Sequence, residues 1–242
     1  MSPADQPAPT ASTARELLAG LPLRHTTVPL LTHTLAHLVK QALRGGIEAS
    51  VSMPDGRRMT TAAATGPLAV TLDQAQYTAG QGPCLHAATT GEPTEVVDTR
   101  TDPRWTHFAQ QAVQHGTLSS LSLPLGVPAD VTGSLNIYAP VPGAFDDHAR
   151  TTAAELAFQA AVALRNVRDY QAVLAEAARL RADSDTRSVI EQATGMLIER
   201  LDLAAPDALR VLIEIAERTA ATVGDVAAHL VATGDLLEPP QP

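Results

Sequence analysis

One cysteine, one tryptophan and eight histidines carry most of the reactive side-chain chemistry in this 242-residue chain. Cys84 stands two residues before His86. A thiol becomes a nucleophile or redox centre only when a cation holds it as thiolate, and His86 is the sole local candidate. A lone cysteine is otherwise a small buried hydrophobe, which is the favoured reading; it leaves no partner for an intramolecular disulfide and no multi-cysteine zinc site. The pair His33-x-x-x-His37 would share one helical face as zinc ligands do, but no Glu follows His33 as a metalloprotease motif requires, so exposed helix residues are expected. Trp105 closes the Arg/Asp-rich run from Asp98 and, with Cys84, is a candidate for the wall of a ligand pocket; packing under that loop is the other reading. Gly80-Gln81-Gly82 lacks the third glycine and the preceding strand of a dinucleotide fingerprint. No cofactor is evident, no catalytic constellation emerges, and the chain does not read as an enzyme.

The elements that must position these residues follow from periodicity. Val28, Leu31, Leu35, Leu38, Val39 and Leu43 form a helical stripe that stops at Gly45-Gly46. Alternation then takes over: Ile47 to Met53, a Pro54-Asp55-Gly56 turn, and Met59, Thr61 and Ala63 predict a β-hairpin. Leu72–Thr90 and Asp98–Trp105 read as partly helical connections. Strands are expected at Glu95–Val97, Leu121–Leu125 and Val131–Ala139, the last two paired antiparallel. From Ala144 to Thr194 there is neither Gly nor Pro, so a long helix capped by Asp146 is expected. Its stripe of Ala153, Leu156, Ala160, Ala163, Val167, Tyr170, Leu174 and Ala177 has heptad spacing, with the sheet exhausted beyond Asn166 and a bend expected near Leu180–Asp185.

Three amphipathic helices then occupy Arg187–Asp235. Pro206 opens the second; Thr222 with Asp225 makes a capping box for the third, and Gly234 stops it. Arg187-Ser-Val-Ile-Glu-Gln-Ala-Thr-Gly-Met-Leu-Ile-Glu-Arg200, with Ala208-Leu209 and Asp225-Val226-Ala227, resembles the ANTAR domain, an RNA-binding module of transcription antitermination regulators. The first part, with Gly80-Gln-Gly-Pro-Cys84, Val96-Val97-Asp98 and Asp102-Pro-Arg-Trp105, resembles a GAF domain, and the two in this order resemble an actinobacterial type of regulator. The expected fold is therefore an α+β GAF-like sensor domain, an antiparallel sheet with packed helices, followed by a coiled-coil helix and an all-α three-helix ANTAR-like domain. Expected boundaries are a disordered 1–14, a sensor at 15–165, a connector at 166–184, the RNA-binding unit at 185–235 and a frayed 236–242.

That resemblance implies binding to stem-loops in a nascent transcript, with Arg187, Gln192, Thr194, Arg200 and Thr222 as contacts, and allows a small-molecule ligand in the first domain. The heptads imply a homodimer. Departures from the family pattern are Thr194, where a basic residue is usual, Ala220 and Thr222 in place of Asn and Lys or Arg, and Leu209 where an aromatic is common. The stretch 187–235 holds four arginines against eight carboxylates, a net of −4, so a helical scaffold that binds protein is the rival reading. The whole-chain charge of −9 argues against general attraction to nucleic acid or anionic lipid. With no signal segment and no membrane-length apolar run, the cytoplasm is the expected location.

Overall fold

Helix α1 (Val28–Ala42) starts where Thr27 accepts a bond from the Leu30 N–H and Pro29 fits the first turn. Hairpin strands β1 (Glu48–Asp55) and β2 (Arg58–Ala64) follow, then α2 (Pro67–Ala79), α3 (Pro83–Thr90), β3 (Thr94–Val96) and α4 (Thr106–Gln114). Strands β4 (Ser119–Val127) and β5 (Asp130–Ala139) complete one antiparallel sheet, ordered β2-β1-β5-β4-β3. Three helices end the chain: α5 (Asp147–Leu201), α6 (Ala205–Thr219) and α7 (Val223–Thr233). This computed structural model describes residues 13, 16–18, 20–43, 45–127 and 130–237. The disorder expected at 1–14 and 236–242 falls, apart from 13, 236 and 237, outside the described residues.

Two compact units emerge, Met1–Tyr170 and Gln171–Pro242. In the first, the period-2 alternation of the strands sorts the sheet into two unlike faces. Ala49, Val51, Leu121, Leu123, Leu135 and Ile137 meet Leu31, Leu35 and Val39 of α1 and Leu156, Ala160 and Leu164 of α5 in the main apolar core. Each large side chain fully buried there contributes about 1.5–3 kcal/mol. A second, smaller core on the other face joins Leu72 of α2 and Phe108 of α4 to Val96 and Tyr138.

Three expectations need correction. Met59, Thr61 and Ala63 do not keep one face: a register shift between Val51 and Ser52 makes β2 bulge, so Thr61 reaches Asp73 of α2 while Ala63 packs against the main core. Asp98–Trp105 is not helical. Asp98 and Asp102 each accept the backbone N–H two residues on, from Arg100 and Arg104, at 3.0 Å, and side-chain capture of this kind competes with helix formation. Lastly, no break interrupts the helix at Leu180–Asp185; α5 runs through it, with Arg179 paired to Glu176 at 2.8 Å and to Asp183 at 3.4 Å along its surface. The Asp146 cap is present, accepting the Ala149 N–H at 2.7 Å.

Candidate nucleic-acid interface and sensor interior

The second face of the sheet is hydrophilic and yet buried. Ser50 and Ser52 on β1, Ser120 and Ser122 on β4, and Ser134 and Asn136 on β5 alternate with the leucines of the main core, and all are fully covered. Asp73, on α2, lies against them with no exposure. Its Oδ1 accepts bonds from Tyr138 at 2.6 Å, Ser50 at 3.0 Å and Asn136 at 3.3 Å, and its Oδ2 accepts from Thr61 at 2.8 Å. Burial pushes the carboxyl up to about 6 against the pull of these donors. Nothing in the sequence singled out Asp73. Serines at every second strand position read as a solvent face, and the only available signal was that α2, with Leu72 and Gln76 adjacent to it, also needed a surface to cover.

Gln76 joins this interior to the next helix. Its Nε2 donates to the Tyr138 hydroxyl at 3.1 Å and its Oε1 accepts the Cys84 N–H at 2.8 Å, so it satisfies an orphan donor at the start of α3. Gly82 must be glycine for that to happen, because a Cβ there would come 2.4 Å from the Gln76 side chain, at φ +156°. The Gly80-Gln-Gly-Pro-Cys84 run thus seats α3 on α2. Cys84 is fully buried at this junction, and burial, with Asp73 nearby, pushes its thiol well above the usual range; a thiol held in that form is a poor nucleophile. Trp105 is half-buried against the smaller core, with the Arg104 guanidinium 4.7 Å from its ring centroid and the His86 ring tilted against it at 5.7 Å. His33 and His37 stack at 4.1 Å, and among the described residues no group of three or more His, Cys, Asp or Glu could hold a metal ion.

In the C-terminal unit, Ala193 and Leu197 of α5, Leu212 and Ile215 of α6, and Val226 and Leu230 of α7 form the core. The capping box is formed: Thr222 accepts the Asp225 N–H at 3.1 Å and Asp225 accepts the Thr222 N–H at 3.2 Å. Gly224 lets α7 approach α5, since a Cβ would come 2.8 Å from Cγ2 of Thr186. On α5, Arg187 and Thr194 point within roughly 20° of each other, but Gln192 and Arg200 each lie roughly 140° away from Arg187 on opposite sides. The five candidate contacts therefore do not share one face; of those on α5, only Arg187 and Thr194 do, two turns apart. Arg200 donates to the Gly234 carbonyl at the end of α7, and the Thr194 hydroxyl donates to the Ile190 carbonyl at 2.7 Å. Arg210 pairs with Asp207 at 3.0 Å. Among the described residues Arg187 and Arg218 make no ion pair.

Ala220 has φ +52°, the left-handed region. This is where the resemblance leads one to expect Asn, a residue that tolerates that region better than Ala.

A layered sheet domain with a buried polar face is thus followed by a three-helix unit. The chain belongs to the GAF domain family, whose model matches residues 26–165, and a model described as ANTAR domain matches residues 178–231. Both are regulatory domains. Among solved structures, the chain is similar to a protein of Burkholderia vietnamiensis described as a GAF sensor, at 22% identity, covering 65% of this chain and 93% of that one, with a TM-score of 0.51. It is also similar to free methionine-R-sulfoxide reductase from Neisseria meningitidis, at 19% identity, 66% and 89% coverage and a TM-score of 0.52. These likenesses concern the fold. No curated protein matches the chain. Among the described residues no helix is long and apolar enough to cross a membrane.

Proposed function

We propose that this protein is a signal-responsive, cytoplasmic regulator of transcription antitermination that binds stem-loops in nascent mRNA through its C-terminal unit, as a homodimer. The observation that carries the reading is the order of domains, a GAF domain followed by an ANTAR domain. Helix α5 supplies Leu164 to the first core and Ala193 to the second, so a change at the sensor has a helical route to the output unit. Hairpin RNA is recognised by shape, phosphate contacts and loop bases. Arg187 and Thr194, on one face of α5, with Thr222 at the start of α7, form the interface. Few cations are free for phosphates, so each unit binds weakly with a shallow salt dependence.

The test is a titration of single and tandem hairpin RNAs at two salt concentrations. Wild type is expected to bind the tandem RNA, Thr194→Lys to bind it more tightly and with a steeper salt slope, and Arg187→Glu to lose it. If neither RNA binds wild type or Thr194→Lys, the second reading takes its place: a sensor or scaffold whose helices bind a protein. The observation favouring that rival is the net charge of −4 over 187–235 together with Leu209 and Ile213, which stand exposed one turn apart on α6.

A further inference from the structure

The first unit has a cavity of about 530 Å³ between the β1–β2 hairpin, the end of α2 and the first turn of α3. Arg57 and Arg58 stand at one side, while Met59, Leu85 and the Tyr77 ring supply apolar wall. Its volume lies within the range of small-molecule sites. Two properties distinguish it from the rest of the surface. No carboxylate lines it, although the chain holds 26 acidic residues against 17 basic ones. Neither arginine is neutralised either: among the described residues Arg57 and Arg58 make no ion pair, not even with Asp55, which faces Arg58 in the hairpin register. The contrast is the cavity of about 460 Å³ beside α4, where Asp102 is part of the lining and Arg100 is held by Asp98 at 2.7 Å.

The floor connects inward. The Tyr77 hydroxyl donates to Ser52 at 2.6 Å and lies 3.3 Å from the Thr61 hydroxyl, which in turn donates to Asp73. Burial pushes the Tyr77 phenol up, so it stays a protonated donor. An occupant resting on Tyr77 therefore touches the residue that ties hairpin to helix.

We infer that this cavity binds a small organic anion, a carboxylate or phosphate ester, with Arg57 and Arg58 meeting its charge and Met59, Leu85 and Tyr77 its apolar body. Guanidinium groups suit both anions because each can be gripped by two parallel N–H bonds. The inference rests on reading residues 26–165 as the sensing part and names the class of signal that part takes.

The experiment is calorimetric titration of the full chain with benzoate, phenyl phosphate and the uncharged benzamide. At least one anion is expected to bind at least ten-fold tighter than benzamide. Arg57→Gln with Arg58→Gln is expected to weaken that binding at least ten-fold, while Arg168→Gln, an arginine outside the cavity, leaves it unchanged. Both cavity arginines are exposed and unpaired, so the double variant keeps the fold, and circular dichroism checks it. Absence of anion binding, equal binding of benzamide, or full binding by the double variant overturns the inference. Calorimetry reads occupancy whether or not RNA binds, so failure here and failure of the RNA reading are separate results.

Discussion

The Tyr138 hydroxyl donates to the Asp73 carboxylate at 2.6 Å, tying strand β5 to helix α2 inside the first unit. Four groups, on β1, β2 and β5, turn donors toward this one carboxylate, and among the described residues no cation pairs with it. Other titratable groups facing it are the Tyr77 and Tyr138 phenols and the Cys84 thiol, all pushed up by burial. Ionised Asp73 is thus held by hydrogen bonds alone against the cost of leaving water.

Stability of the first unit should for that reason depend on pH through Asp73. Its carboxyl rises from an ordinary 3.8 to about 6. Between about pH 4 and 6 the folded state keeps a proton that the unfolded chain has released, so the contribution is fully present below pH 4 and lost as pH rises through 6. A shift of that size corresponds to roughly 3 kcal/mol. Urea unfolding followed by fluorescence of Trp105, the only tryptophan, should show wild type losing about that much relative to Asp73→Asn between pH 4 and pH 7. A constant difference between the two proteins over that range would show that Asp73 does not titrate there.

How far the sequence could be read depends on what each residue had to report. The capping box at Thr222 and Asp225, the Pro206 start and the Gly234 stop were legible because caps are local chemistry that needs no tertiary partner. Heptad spacing located α5 but could not tell which part of it is covered: Val167 is buried, while Val173, Leu174 and Leu180 stand exposed. Asp73 was illegible because its environment is assembled from four separate elements. A serine beneath a helix has the same letter as a serine in water. Arg200 shows the same limit in the other direction, since a cation predicted as an RNA contact serves a carbonyl 34 residues later.

Backbone strain at Ala220 yields a second prediction. Holding a side chain with a Cβ in the left-handed region costs about 1 kcal/mol that glycine does not incur. Ala220→Gly should stabilise the C-terminal unit by about that amount, and hydrogen exchange of the Leu212 and Leu230 amides should slow accordingly. Ala220→Asn should give a smaller gain of the same sign. If exchange were unchanged or faster in both, the φ of +52° would not be the source of strain.

The remaining prediction concerns the exposed stripe on α5 and its link to RNA. Leu174, on the heptad stripe, is 51% exposed, and Val173 at 67% and Leu180 at 55% share the flank beside it, so apolar side chains beyond the sheet domain face outward from two neighbouring positions of the helix. Pairing with a second copy would cover them. Val167 is the wrong residue to test, because it is buried at 1% exposure and a charge there would be costly to fold whatever its effect on pairing. Leu174→Glu with Leu180→Glu instead alters only exposed positions, and light scattering should report a fall from dimer to monomer mass. Dimerisation also decides RNA affinity: once one unit holds a hairpin, the second meets its neighbour at an effective concentration in the millimolar range, which raises affinity for tandem hairpins by about 10²–10⁴ over a single one. The double variant should lose that ratio while binding a single hairpin as wild type does. A wild-type monomer at micromolar concentration, or a variant that keeps both the dimer mass and the tandem preference, would remove α5 as the dimer interface.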